Sequence, residues 1–499
     1  MRLSRDSAGT DLRMSGPGSD VEPMNVGMNV NRRLTRVLIG IVLIALVGGL
    51  TTMTAQSNAA PVPSVAAAAT TGNKACKPRI VKSGSTTKKV YPKTCLLPYL
   101  DGWRPPLGPV FNDPLGSSAD AQKILRRVIS AIKHTPAKSV IRIAVYSFDR
   151  SDVAYWLRKA KDRGVYVQIA VNRRVISGVS RKLQKYLGAN PKAASFLISC
   201  NGPCRKVGSV GNLHNKVYSF SRTGGARDFI ITSSGNLTSK GVYRQWNDSY
   251  GVAQDTGLWD AWLDMFTQIK NRKQKGPRTI RYTSTVASLG LLMYKTTGKT
   301  ADPIEESQTE VVPISAKYKP SQDPVLHRLD LVNCNAPKGY GSKGHTVIRI
   351  MMYAMFKSRG ETLARKLAAL KKKGCVVQMI MSVPGGKTTS ILRTAKIPMR
   401  SADWLFTERD PALEDGIGGY GPRFYAHYKV MALNGRFNGK PTMTVWTGSE
   451  NWDSASFVNE EIVLRVNRKG AYRKYSAQFN KMWYSRATHR MGIKPTYGP

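Results

Sequence analysis

Two places in the sequence carry the same pair of side chains two residues apart: His214 with Lys216, and His427 with Lys429. In an extended strand, residues i and i+2 share a face, so each imidazole projects beside an ammonium group. One such pair is expected by chance in a chain with six His and 77 Lys plus Arg. The surrounding constellation is not, because it too occurs twice. Ser234 and Ser449 follow the two histidines, Asn236 and Asn451 lie two residues beyond each serine, and an Asn-acid pair comes next, Asn247-Asp248 and Asn459-Glu460.

These residue types suit the cleavage of a phosphodiester without a metal or other cofactor. Attack on phosphorus needs a nucleophile, a proton donor for the leaving oxygen, and fixed positive charge around the phosphoryl oxygens. Two imidazoles can share the first two tasks, one neutral and attacking, the other protonated and donating. Lys216 and Lys429 would neutralise the non-bridging oxygens, and Ser234, Asn236, Ser449 and Asn451 would donate hydrogen bonds to them. Asp248 and Glu460 would accept from the imidazole ring N–H and fix its tautomer. His134, His327, His345 and His489 fall outside the repeated pattern and receive no role.

The elements that must hold these groups repeat with a period of about 210 residues. Val140-Ile141-Arg142-Ile143 with Tyr146 matches Val347-Ile348-Arg349-Ile350 with Tyr353, and both runs read as buried strands. Basic helical patterns follow, Trp156–Arg163 and Leu367–Lys373, each closed by a glycine, Gly164 and Gly374. A second apolar strand succeeds each one, from Val165 and from Cys375. Strand, helix, strand at this spacing is a crossover unit, hence a mixed sheet covered by helices. After about 40 further residues comes the His-x-Lys strand, then a hairpin into the Ser-x-Asn segment, then another strand, and each half ends on an aromatic helix (Leu258–Lys270 and Tyr472–Arg486). The expected fold is α/β: two homologous α/β/α sandwich halves, related by a pseudo-two-fold, with the site at their interface. A monomer would then suffice. The first half is expected over 109–281, a connector over 282–322 with a strand at its start, the second half over 323–491 and a tail over 492–499. The segment Gly385–Gly421 is a candidate lid.

The doubled His-x-Lys, Gly/Ser-Ser-x-Asn and Asn-acid pattern resembles the phospholipase D superfamily, and the resemblance covers nearly all of the chain beyond its leader. It implies a covalent phosphohistidine on one His, from which water or an alcohol releases the phosphoryl group. The family motif continues to an Asp five residues after the Lys. Ser221 and Asn434 stand there instead, and Ser233 stands where the family usually has Gly. Structural support is expected to weaken, with the chemistry retained.

The formal charge of +46 points to an anionic partner, which leaves phospholipid, an anionic membrane surface and nucleic acid all open. Basic runs at Lys270–Lys275 and Lys371–Lys373 suit either surface, and Trp246, Tyr425, Tyr428, Trp446 and Trp452 lie beside the motifs. Lipid head-group hydrolysis is the first expectation. Non-specific endonuclease action is the alternative, and an inactive polyanion-binding duplicate the third.

Arg32, Arg33 and Arg36 precede an apolar run from Val37 to Leu50, about 21 Å as a helix and shorter than a bilayer core. With small residues near Ala60 this reads as a secretory signal over 1–59, an uncleaved anchor being the rival. These 59 residues carry only +2, so +44 remains beyond them. Residues 60–108 form a linker and a small basic appendage. In an exported chain six cysteines favour disulfides, with fifteen possible pairings. Proximity points to Cys76–Cys95, Cys200–Cys204 and Cys334–Cys375, and no C-x-x-C pair supports zinc.

Overall fold

The computed structural model describes residues 79–83, 86–90, 103–205, 211–275, 279–283, 289–294, 319–406, 409–410, 419–420 and 422–499. The leader and the Cys76–Cys95 pairing lie outside the described residues.

The first half is built from β1 (Gly108–Phe111), β2 (Val140–Val145), α1 (Ser151–Asp162), β3 (Tyr166–Asn172), α2 (Gly178–Leu187), β4 (Phe196–Cys200), β5 (Lys216–Thr223), β6 (Ala226–Ser233), β7 (Asp248–Val252) and α3 (Thr256–Asn271). The second half contains β8 (Leu289–Tyr294), β9 (Val347–Met355), α4 (Lys357–Lys372), β10 (Val376–Pro384), α5 (Gly386–Thr394), β11 (Met399–Ser401), β12 (Lys429–Phe437), β13 (Lys440–Gly448), β14 (Glu461–Val466) and α6 (Lys469–Trp483). The first sheet has the order β1-β7-β6-β5-β2-β3-β4, and the second contains the same order, β8-β14-β13-β12-β9-β10-β11, within ten strands: Thr279–Thr283 pairs beyond β8, His489–Arg490 beyond β11, and Val332–Asn333 with β12. Each strand therefore has its counterpart seven labels on. In both sheets the βαβ strands run parallel, and the His-x-Lys strand joins them antiparallel.

Local sequence accounts for this order. The β-branched runs Val140–Val145 and Val347–Met355 occupy the middle of their sheets, where both faces are covered. The helices α1 and α4 end at Asp162 and Lys372, two residues before Gly164 and Gly374, which adopt φ of 85° and 94°, the left-handed position that glycine takes without a side-chain clash. β8 lies in what the sequence marks as a connector, yet it pairs with β14 and belongs to the second sheet. The candidate lid is likewise structural through Trp404: it supplies α5 and β11, the counterparts of α2 and β4.

Two outer cores lie one in each half, and a third cluster runs between them. Trp262 and Phe266 from α3 meet Tyr475 and Phe479 from α6 in that shared core, so the halves bury one apolar surface together. At Gly211 the halves come close enough that a side chain there would run into the carbonyl of Val458. Cys200–Cys204 and Cys334–Cys375 are both disulfide-bonded, as their proximity suggests.

Candidate active site

Each histidine lies just before the strand that the sequence assigns it to. β5 begins at Lys216 and β12 at Lys429, and the residues before them have left their own sheet to pair with the other half. Leu213 forms a parallel bridge with Glu460, and Ala426 forms the equivalent bridge with Trp246. Consequently the His214 backbone N–H donates to the Glu460 carbonyl at 3.0 Å, and that of His427 donates to the Trp246 carbonyl at 2.9 Å. The backbone of each histidine is thus held by main chain from the opposite half.

The ring contacts follow the same crossing. His214 Nδ1 lies 2.8 Å from Glu461 Oε1, and His427 Nδ1 lies 3.1 Å from Asn247 Oδ1. The Asn247 amide has its orientation set by Nδ2, which donates to the Gly241 carbonyl at 3.0 Å. Its oxygen therefore faces His427, and the proton on Nδ1 leaves Nε2 as the working nitrogen. Glu461 is also held by the hydroxyl of Ser449 and by Asn459 Nδ2. It is fully enclosed, and burial pushes its carboxyl up to about 7, against the pull of Lys216, Ser449, Asn459 and Lys429.

The expected orienting acids are therefore corrected by one residue. Strand pairing places Ser249 opposite Ser233 and Val463 opposite Gly448, which makes Asn247 the counterpart of Glu461. Glu460 instead has its carboxylate taken by the guanidinium of Arg205 at 3.0 Å, a buried ion pair linking the halves. Asp248 turns to the second half as well. Its carboxylate accepts from the hydroxyls of Thr447 and Tyr475, and burial raises its pKa.

The serines are corrected too. Ser234 Oγ donates to Asn247 Oδ1 at 3.0 Å and accepts from the Asp248 N–H, while Ser449 Oγ donates to Glu461 and accepts from the Ile462 N–H. Each hydroxyl has one proton and directs it to a group that braces a histidine, Asn247 or Glu461. Ser221 and Asn434, at the motif Asp positions, accept from the N–H groups of Val140 and Gly341, so each retains a backbone anchor.

The remaining expectations come together. Lys216 Nζ donates to the His214 carbonyl at 2.7 Å, and Lys429 Nζ to that of His427 at 2.9 Å. The two ammonium groups lie over Tyr146 and Tyr353, whose rings also touch the two imidazoles. Asn236 accepts from the Ser147 N–H through Oδ1, and its buried Nδ2 is without a hydrogen-bond partner among the described residues. Asn451 Oδ1 is unpartnered in the same sense, and half a turn of that amide would present its N–H group instead.

One positioning group went unread in the sequence. Arg359 is fully buried and donates to the carbonyls of Asn451 and Asp453 at 2.9 and 3.2 Å, while pairing with Asp323 and Glu450. It clamps the Asn451 loop from below. A lone Arg within a basic helix gives no sequence signal of burial.

No curated protein matches the chain. Among solved structures, it is similar to phosphatidylserine synthase from Haemophilus influenzae Rd KW20, at 12% identity over 77% of this chain and 87% of that one, with a TM-score of 0.45. It is similar to the phospholipase D family member Nuc from Salmonella typhimurium, at 19% identity over 34% of this chain and 97% of that one, with a TM-score of 0.26. Polyphosphate kinase from Porphyromonas gingivalis matches at 10% identity and a TM-score of 0.45 over 78% of this chain, which spans only 53% of that kinase. The family model described as "Cardiolipin synthase, PLD-like domain" matches twice, over residues 128–269 and 342–483. Those two spans make up more than half of the chain and enclose one His-x-Lys pair each, so the protein belongs to the phospholipase D-like family and carries its domain in duplicate.

Proposed function

We propose that the protein is a metal-independent phosphodiesterase of phospholipase D type that hydrolyses phospholipid head groups, with His214 as the nucleophile and His427 as the acid. The observation that carries this reading is the unequal pairing of the two rings. Phosphorylation of Nε2 leaves an imidazole with a full positive charge, and the Glu461 carboxylate beside His214 Nδ1 stabilises that charge. Asn247 offers His427 only a neutral oxygen, so the His427 imidazolium stays a readier proton donor.

In the first step the P–Nε2 bond to His214 forms as the bond to the leaving oxygen breaks, and His427 Nε2–H gives its proton to that oxygen. In the second, water attacks phosphorus, His427 takes up its proton, and the P–Nε2 bond breaks. Lys216, Lys429, Asn236 and Asn451 supply charge and hydrogen bonds to the phosphoryl oxygens.

Support for a lipid comes from the wall beside His427. Tyr353 and Tyr425 stack at 5.1 Å, both contact the imidazole, and Phe356 and Val383 pack against them. The two tyrosines are themselves buried, so the accessible part of this wall is Phe356 and Val383, whose half-buried apolar side chains suit a glyceride backbone. Nucleic-acid cleavage is the second reading, favoured by the exposed Arg173, Arg174, Arg181, Lys182 and Lys185 in and just before α2. Export is part of the proposal, and two disulfides accord with an oxidising compartment. Phosphatidic acid release from phosphatidylcholine vesicles and cleavage of single-stranded DNA, measured side by side in EDTA, test it. Lipid turnover that exceeds DNA cleavage is expected; DNA cleavage alone would transfer the assignment to the second reading, and loss of both in EDTA would overturn the metal-free chemistry.

A further inference from the structure

The duplication supplies an internal comparison far from the histidines. In the first half, Tyr186 closes the space between α1 and α2. Its ring lies 4.8 Å from the Arg158 guanidinium and 4.6 Å from Lys161 Nζ. Its hydroxyl donates to Asp162, and Lys161 Nζ donates to its carbonyl at 2.9 Å.

Alignment on Gly164 and Gly374 sets Arg158, Lys161 and Asp162 against Ala368, Lys371 and Lys372. The second half has therefore lost the long side chain at one position and reversed the charge at another. Between α4 and α5 the result is an open groove of about 740 Å³. Ala368, Ile391 and Ala395 give it an apolar floor, and Lys371, Lys372 and Lys396 stand on its rim. None of these three ammonium groups has a carboxylate within ion-pair distance among the described residues. Lys396 holds a left-handed backbone conformation (φ 53°), a position that glycine favours.

Helix C-termini attract cations, and those of α4 and α5 meet here. That dipole explains a lysine or two; it does not explain an uncovered apolar floor. Three like charges around an apolar surface raise one another's energy until an anion joins them, and the floor gains by leaving water.

We propose that this groove binds an anionic amphiphile, a lipid with a terminal phosphate, its alkyl carbons on the Ala368 floor and its head among Lys371, Lys372 and Lys396. The volume is that of a small-molecule site. The inference does not depend on the reading of the histidine site, which lies at the opposite ends of α4 and α5.

The test is calorimetric titration of the full chain with dodecyl phosphate below its micellar concentration, against inorganic phosphate and neutral dodecyl maltoside. Ala368→Arg and Lys372→Asp install the residues that the first half carries, at half-buried and exposed positions, so folding is preserved. Each should weaken one class of dodecyl phosphate sites at least tenfold and leave hydrolysis of a short soluble phosphodiester unchanged. Unaltered binding in both variants would overturn the proposal. So would equal affinity for inorganic phosphate or for the maltoside. Displacement of the amphiphile from this site by an equimolar single-stranded oligonucleotide would also overturn it, in favour of a polyanion site.

Discussion

Glu461 Oε1 lies 2.8 Å from His214 Nδ1 across the boundary between the halves. The same place beside His427 is filled by the neutral amide oxygen of Asn247 at 3.1 Å. The two imidazoles thus share a backbone setting and differ in charge environment, which makes their roles separable by experiment.

His214→Asn should abolish the phosphoenzyme, read by acid-stable versus acid-labile label after a rapid quench. His427→Asn should still form it from a p-nitrophenyl phosphodiester, whose leaving group needs no proton. Its rate on natural esters should fall about 10²–10⁴-fold, the usual worth of a general acid. Equal loss on both substrates in both variants would dissolve the division of labour.

Glu461 titrates where activity can report it. Its carboxyl is raised to about 7 by burial, so the anion that supports His214 forms only as pH climbs past that value. The acid limb of kcat/KM should lie there, and Glu461→Gln should flatten it while lowering the rate. Stability has the opposite sign. A folded pKa above the unfolded 4.5 means that the native state binds the extra proton between 4.5 and 7, so stability falls as pH rises through that window. Relative to the native chain, Glu461→Gln should melt higher at pH 8 than at pH 5.

Asn247→Asp places a carboxylate on His427. An opposite charge at hydrogen-bond distance raises an imidazole pKa by about 1–3 units. The basic limb of the kcat profile should move upward by about one unit or more, while the acid limb stays in place.

Breaking the pair between Arg205 and Glu460 takes from a fully buried charge its ion-pair partner at 3.0 Å. Arg205→Met should cost about 3–5 kcal/mol in denaturant unfolding. Most of that loss should return when Glu460→Gln is added. Because the Glu460 carbonyl also holds the His214 N–H, kcat should fall in the single variant more than KM rises.

Arg359→Lys keeps the charge but loses the forked contacts to Asp323 and the carbonyls of Asn451 and Asp453. Weaker inhibition by vanadate, by about tenfold, is expected if Asn451 binds the phosphoryl oxygens. A purely structural role predicts a lower melting temperature with inhibition unchanged.

Much of this molecule is legible in its residues. The repeat locates both His-x-Lys pairs and the crossover units of the two mixed sheets, and proximity along the chain pairs two of the disulfides. The orienting residues escape by a single position. Asn459-Glu460 looks like the partner of Asn247-Asp248 because both are an Asn before an acid. Hydrogen bonding sets the register, however, and alternate residues of a strand face opposite ways. A slip of one therefore points Glu460 at Arg205 and Glu461 at His214. The serines mislead for a related reason: a hydroxyl near a phosphate motif looks like a ligand, whereas enclosure at this depth turns it to the nearest buried acceptor. The burial of Arg359 and the pairing of β8 with β14 depend on long-range packing, which no local pattern records.

The reciprocal bridges, Leu213 with Glu460 and Ala426 with Trp246, have an evolutionary consequence. Two identical copies meeting across such a seam would give both histidines the same neighbour, and any change beside one would be imposed on the other. Covalent fusion removes that constraint. Once each copy has its own codons, one side of the seam can keep a carboxylate while the other exchanges it for an amide, and two equivalent imidazoles acquire the unequal settings that the proposed nucleophile and acid require.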